Sequence, residues 1–83
     1  MKTLIVQIKC QLGEAYNVAA YIIDNVVECA IYSISGHYDL LAIVHLDEDV
    51  DPGLFVTQRL HKVPGIADTS TMIAFNAFTP KTV

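Results

Sequence analysis

The chain has 83 residues, is 53% hydrophobic but only 17% charged, and carries a formal net charge of −4. Its length indicates one domain, residues 1–83, and five Lys and Arg residues scattered over an acidic chain argue against direct nucleic-acid binding. With no apolar run near the ~18 residues of a membrane span, no secretory segment and two Cys, we expect a cytoplasmic protein that does not bind membranes.

The first 25 residues change from strand to helix periodicity. Residues 3–10 alternate, with four apolar side chains on one face of a predicted strand. After Gly13, residues 14–25 show apolar side chains at the spacing of one helical face. That face consists of Ala15, Val18, Ala19, Ile22 and Ile23. The sequence therefore begins with a strand followed by a helix.

A β-hairpin is predicted next, over residues 26–35 and 38–47. Both segments are apolar and rich in β-branched residues, and a short break containing Gly36 separates them. Gly36 provides the positive φ that a tight connection requires.

The remaining residues predict a helix and a strand. Asp51 is a helix cap and Pro52 suits the first helical position, so we expect a helix from Pro52 to about residue 62. Pro64 and Gly65 end it. The last strand is predicted over residues 67–78, followed by a loose tail after Thr79.

The order β-α-β-β-α-β is typical of a ferredoxin-like α+β fold, with two helices on one face of a four-stranded antiparallel sheet. The central strands are apolar on both faces, as shown by Leu41 and Ile43 against Ala42 and Val44. Two short helices cover only one face, so the other must meet a second chain. The pattern predicts a dimer formed sheet to sheet, a dimeric α/β-barrel.

The hairpin turn is also a candidate ligand site. Backbone N–H groups freed near Gly36, together with the carboxylate of Asp39, match the two charges of a small zwitterion. The alternative is that Asp39 bonds only to its own turn, which is a common role of Asp. The residues alone leave both interpretations open.

Four segments in order form a recognisable series: VVEC at 26–29, ISGHYDL at 34–40, LHKVPGI at 60–66 and TSTMI at 69–73. This series resembles the effector-binding half, or RAM domain, of the leucine-responsive/asparagine-regulator (Lrp/AsnC) family. The resemblance covers nearly the whole chain. It implies a ferredoxin-like domain that dimerises through its sheet, and dimers that assemble further around an amino-acid effector.

Site residues follow from the resemblance. N–H groups around Gly36 and His37 would receive the effector's carboxylate, and Asp39 would take its ammonium group. Tyr38 and His37 would line the side-chain pocket. Two hydroxyls, from Thr69 and Thr71, would come from a neighbouring subunit. No catalytic residue, metal or other cofactor is expected.

The series lacks the family's N-terminal helix-turn-helix, so it is similar to stand-alone RAM proteins and DNA binding is not expected. The function implied is amino-acid sensing through assembly in transcriptional regulation of amino-acid metabolism, alone or with full-length Lrp/AsnC-type regulators. A dimeric α/β-barrel enzyme of monooxygenase or isomerase type, with His45 in a cavity between sheet and helices, is the main alternative. An ACT-like allosteric module and a purely structural oligomer are others.

Overall fold

A computed structural model describes residues 1–80 as one four-stranded antiparallel sheet with two helical segments. The strand order is β2-β3-β1-β4, which confirms the predicted ferredoxin-like fold. In chain order the elements are β1 (Lys2–Cys10), α1 (Ala15–Asn25), β2 (Ala30–Ser33), β3 (Leu40–Leu46), α2 (Pro52–Phe55), a π-helical turn (Val56–Leu60) and β4 (Ile66–Ala74).

The core lies between one face of the sheet and the helices. Alternate residues of β1 and β3 point into it because side chains alternate across a strand. Val18 and Ile22 of α1 meet them, as the helical periodicity predicts. The prediction was wrong for Ile23, which is 49% exposed. The fully buried strand residues are Leu4, Val6, Ile8, Leu40, Ala42 and Val44.

The opposite face of the sheet, called the open face below, is also apolar at its centre. Ile5 is paired with Ile43 of β3 and with Met72 of β4, so these three side chains lie side by side across the sheet. Met72 is 47% exposed in the single chain. The open face is therefore the surface that the apolar pattern assigned to a second copy.

β2 is shorter than predicted. Only Ala30–Ser33 pairs with β3, whereas the sequence indicated a strand over residues 26–35. The prediction was wrong for Val26 and Val27 because their N–H groups both donate to the Ile22 carbonyl at the end of α1. The apolar side chains of these two residues pack against the core from this helix end.

The second helix is present but not uniformly α-helical. Asp51 caps it as predicted, accepting hydrogen bonds from the N–H groups of Gly53 and Leu54 at 2.8 and 3.3 Å. After Phe55 it widens into the π-helical turn. In an α-helix Phe55 and Leu60 would lie about 140° apart. Both are buried, and i→i+5 bonding brings residues five apart onto one side.

β4 ends four residues earlier than predicted. Ala74 pairs with Thr3, and β1 begins only one residue earlier, at Lys2, so β1 offers residues 75–78 at most one further pairing position. The predicted loose tail falls partly on residues 81–83, which lie outside the described residues. Over residues 1–80, no helix is long and apolar enough to cross a membrane.

Candidate functional site

The β2–β3 turn is closed by a backbone hydrogen bond, and its glycine, Gly36, borders open space. The N–H of Ile34 donates to the carbonyl of Asp39 at 2.9 Å. Gly36 has φ +103°, and a Cβ placed there would meet nothing within 4 Å. The predicted positive φ is confirmed, and the space beside Gly36 would admit close approach by another molecule.

Asp39 is held on both its backbone and its side chain by β1. Its N–H donates to the Ile8 carbonyl at 2.9 Å, and its Oδ2 accepts from the Cys10 N–H at 2.7 Å. The carboxylate therefore bonds to the neighbouring strand β1 and not to its own turn. Among residues 1–80, its second oxygen, Oδ1, has no hydrogen-bond donor assigned to it.

A cavity of about 260 Å³ lies beside Asp39. The end of β1, the loop before α1 and the first turn of α1 form its other walls. Leu12 and Tyr16 on these walls are 100% and 81% exposed. Lys9 also lines this cavity, so an acidic and a basic group lie beside apolar surface, which is a suitable setting for a small amphipathic ligand.

Thr69 lies in a second cavity, of about 250 Å³, with His61 and Asp68. The Nε2 of His61 and the Oγ1 of Thr69 are 2.7 Å apart. Asp68 Oδ1 accepts from the Thr69 N–H at 2.8 Å. This polar cluster is formed where the turn after the π-helical segment returns into β4.

The sheet register brings Asp39 and Thr69 to the same end of one chain. Leu40, which follows Asp39, pairs with Ile8, and Ile8 pairs with Thr69. Strands are ~4.8 Å apart, so this row spans on the order of 10 Å. A backbone hydrogen bond of 2.7 Å from the Gln11 N–H to the Gly65 carbonyl joins the loop after β1 to the loop before β4.

The other predicted site residues are more dispersed within the single chain. His37 and Tyr38 contact each other edge to face, with ring centroids 5.0 Å apart. Thr71 is two residues further along β4 and borders a separate groove, of about 290 Å³, beside α2. One chain therefore brings Asp39 and Thr69 to one end of the sheet but does not enclose all six residues in one cavity.

Gly65 fixes the loop that carries this cluster. Its φ is +93°, and a Cβ there would lie 2.9 Å from Cγ2 of Val18 and 3.2 Å from Cβ of Glu14. The sequence identified Gly65 only as a helix stop. It did not identify His61 or Cys10 as neighbours of the site, since neither contact has a local signal.

A larger cavity, of about 420 Å³, lies at the other end of β3 between the sheet and α2. His45 borders it but is exposed, and its Nδ1 is 3.1 Å from the Thr3 hydroxyl. Arg59 crosses its rim, donating to the Val26 carbonyl and standing 5.8 Å from the centre of the Phe55 ring.

The Cys10 thiol beside Asp39 is not set up as a nucleophile. Burial, followed by the charges of Asp39 and Glu14, raises its pKa above the ordinary value. A thiol reacts as the thiolate, so a raised pKa keeps it inert at neutral pH. Burial raises the pKa of Cys29 as well. Cys10 is buried in the core and the half-buried Cys29 packs against it, so both pack as small apolar side chains.

Comparison with known families gives a match to the Lrp/AsnC ligand binding domain over residues 3–83. Comparison with curated proteins gives no match. Among solved structures, FFRP-DM1 is 32% identical with a TM-score of 0.79, covering 90% of this chain and 100% of its own. TTHA0845 from Thermus thermophilus is 30% identical with a TM-score of 0.80, covering 96% and 100%.

A longer protein shares the fold at lower identity. The Neisseria meningitidis transcriptional regulator NMB0573, solved as a complex with L-Met, is 14% identical with a TM-score of 0.79. The match covers 98% of this chain and 54% of that one. At this identity the likeness shows the fold alone.

Proposed function

Because the chain belongs to the Lrp/AsnC ligand binding domain family, we propose that it is a regulatory module that binds a free amino acid. The amino acid is held where dimers of the chain meet, and its binding controls how many dimers assemble. The regulator NMB0573, which shares this fold and was solved in complex with L-Met, supports an amino acid as the class of ligand.

The observation that carries this proposal is the half-occupied carboxylate of Asp39. Its Oδ2 is fixed by the Cys10 N–H at 2.7 Å, which orients the group. Its Oδ1 remains available to an ammonium group, a charge-assisted hydrogen bond. Open space at Gly36 allows N–H groups of the turn, including that of His37, to approach a carboxylate. The two charges of an amino acid are thereby matched.

The remaining walls of the proposed amino-acid site come from further subunits. Within residues 1–80 of one chain, Thr71 and Tyr38 are not among the residues that line the cavity beside Asp39. We assign the hydroxyls of Thr69 and Thr71 to a ligand held mainly by the turn of a neighbouring copy. His37 and Tyr38 then face the ligand's side chain. A ligand bound only by the assembled form stabilises that form by mass action.

The dimer is the building block of this assembly. The open face carries Ile5, Ile43 and Met72 in one row, and a second copy's open face is the complementary surface. The output is regulation of transcription of amino-acid metabolism, through assembly of this chain or through contacts with full-length Lrp/AsnC-type regulators. Direct DNA binding, catalysis and a cofactor are not part of the proposal.

The test is a thermal-shift screen against the twenty common L-amino acids, followed by light scattering with each amino acid that raises the Tm. We expect a small set to raise the Tm and to increase the mean particle mass. Asp39→Asn should lose both effects, whereas Asp24→Asn, the same change at an exposed carboxylate of α1, should keep them. No shift with any amino acid would contradict the proposal.

A further inference from the structure

The contact between His61 and Thr69 lies outside the residues assigned above to the ligand. The Nε2 of His61 is 2.7 Å from the Thr69 hydroxyl, and both side chains line the same cavity. His61 reaches Thr69 from the end of the second helix, eight positions earlier in the chain. A hydroxyl has one proton to donate, so its partner decides where that proton points.

We infer that His61 is a positioning residue of the amino-acid site, which directs the Thr69 hydroxyl proton toward the ligand's carboxylate and makes binding stronger as the pH falls. This inference rests on the proposed function. His61 touches Thr69 and not the ligand, so its effect passes through the hydroxyl.

The chemistry follows from the two ring nitrogens of histidine. In the neutral ring Nε2 is either a donor or an acceptor, and as an acceptor it takes the Thr69 proton. In the protonated ring both nitrogens carry hydrogen, so Nε2 donates to the Thr69 oxygen. The hydroxyl proton is then free for an acceptor on the ligand. Protonation also adds a positive charge near the carboxylate.

Other charged groups border this cluster. Asp68 of β4 lines the same cavity, but its Oδ1 accepts from the Thr69 N–H. Lys62 follows His61 in the chain, and Glu14 of the α1 N-cap packs at Gly65. His37 belongs to the proposed site. Carboxylates and Lys keep their charge between about pH 5.5 and pH 8, so the two histidines are the groups to separate by substitution.

The first experiment measures affinity by calorimetry with the twenty common L-amino acids as probes, at about pH 5.5 and pH 8. We expect each amino acid that binds the wild-type protein to bind about fivefold more tightly at the lower pH. His61→Gln should bind equally at both, because its amide donates without titrating. His37→Gln should keep the wild-type ratio.

The outcomes separate this inference from the proposed function. If none of the probes binds wild type, the proposed function fails and the role of His61 fails with it. If probes bind and His61→Gln keeps the pH ratio, or His37→Gln loses it, the role of His61 is overturned while the proposed function stands.

A second experiment needs no ligand. In protein labelled with ¹⁵N-histidine, the Nε2 resonance of His61 should move in Thr69→Val and stay in place in Thr71→Val. Thr71 lies on the same face of β4 but does not contact His61. An unchanged Nε2 resonance in Thr69→Val would overturn the contact on which the inference depends.

Discussion

The carboxylate of Asp39 accepts a hydrogen bond from the backbone N–H of Cys10 at 2.7 Å, joining the hairpin turn to the end of β1 across 29 positions of sequence. The contact is partly buried. The sequence offered a bond from Asp39 to its own turn as the alternative to a ligand contact, but one carboxylate oxygen bonds to β1, and the proposed function assigns the other oxygen to the ligand. Substitutions at Asp39 should therefore change both the folding stability and the amino-acid affinity, to different extents.

Asp39→Asn keeps an oxygen that can accept from Cys10 but removes the charge. We expect it to lose about 1 kcal/mol of folding stability and about tenfold to a hundredfold in amino-acid affinity, since charge-assisted bonds are stronger than neutral ones. Asp39→Ala also leaves the Cys10 N–H unpaired and should lose about 2 kcal/mol or more. Urea unfolding and calorimetry measure the two effects. Equal affinity in wild type and Asp39→Asn would remove Asp39 from the site.

Gly65→Ala should destabilise the fold more than Gly13→Ala. Both glycines have positive φ, +93° and +78°, and an alanine there costs about 1–2 kcal/mol. At Gly65 the added Cβ would also lie 2.9 Å from Val18, whereas at Gly13 it would meet nothing within 4 Å. Overpacking adds about 1–3 kcal/mol. Thermal unfolding of both variants tests this, and equal Tm values would contradict the close contact with Val18.

Ile43→Asp should break the proposed dimer. Ile43 is on the open face, whereas its neighbour Val44 is 1% exposed inside the core, so Val44→Asp would unfold the chain instead. Ile23→Asp on the far side of α1, where the side chain is 49% exposed, is the matched control. Sedimentation should show folded monomer or aggregate only for Ile43→Asp. Unchanged association in that variant would place the dimer contact elsewhere.

The two thiols, Cys10 and Cys29, should make the folding stability fall as the pH rises in the alkaline range. Burial raises the pKa of Cys10 and Cys29, so the folded state keeps thiol protons at a pH where the unfolded chain has lost them. Folding stability from this source is fully present below the free-thiol pKa of about 8.5 and is lost as the pH rises above it. In the double variant Cys10→Ala, Cys29→Ala, the free energy of unfolding measured with urea should fall less steeply as the pH rises than in wild type. Rapid alkylation of either thiol in the folded protein at neutral pH would contradict their burial.

Local patterns in the sequence determined the order of the elements and the face that each presents to the core. Apolar side chains at helical or alternating spacing are a property of neighbouring residues, so the side chains of Val18, Ile22 and Ile8 were correctly placed without coordinates. The same pattern identified the apolar open face. The turn at Gly36 and the cap at Asp51 were also predicted, because each depends on a few consecutive residues.

Tertiary structure decided the features that depend on which strands and loops become neighbours. Val26 and Val27 were predicted as strand, but the end of α1 takes their N–H groups. The π-helical turn arises because the core buries both Phe55 and Leu60. At the candidate site, the sequence offered Asp39 and Thr69 as separate residues. Cys10 becomes a partner of Asp39 only when the end of β1 lies beside the hairpin, and His61 becomes a partner of Thr69 only when the loop after the π-helical turn returns into β4. A hydrogen bond requires two groups within about 3 Å, and no local pattern records such a distance.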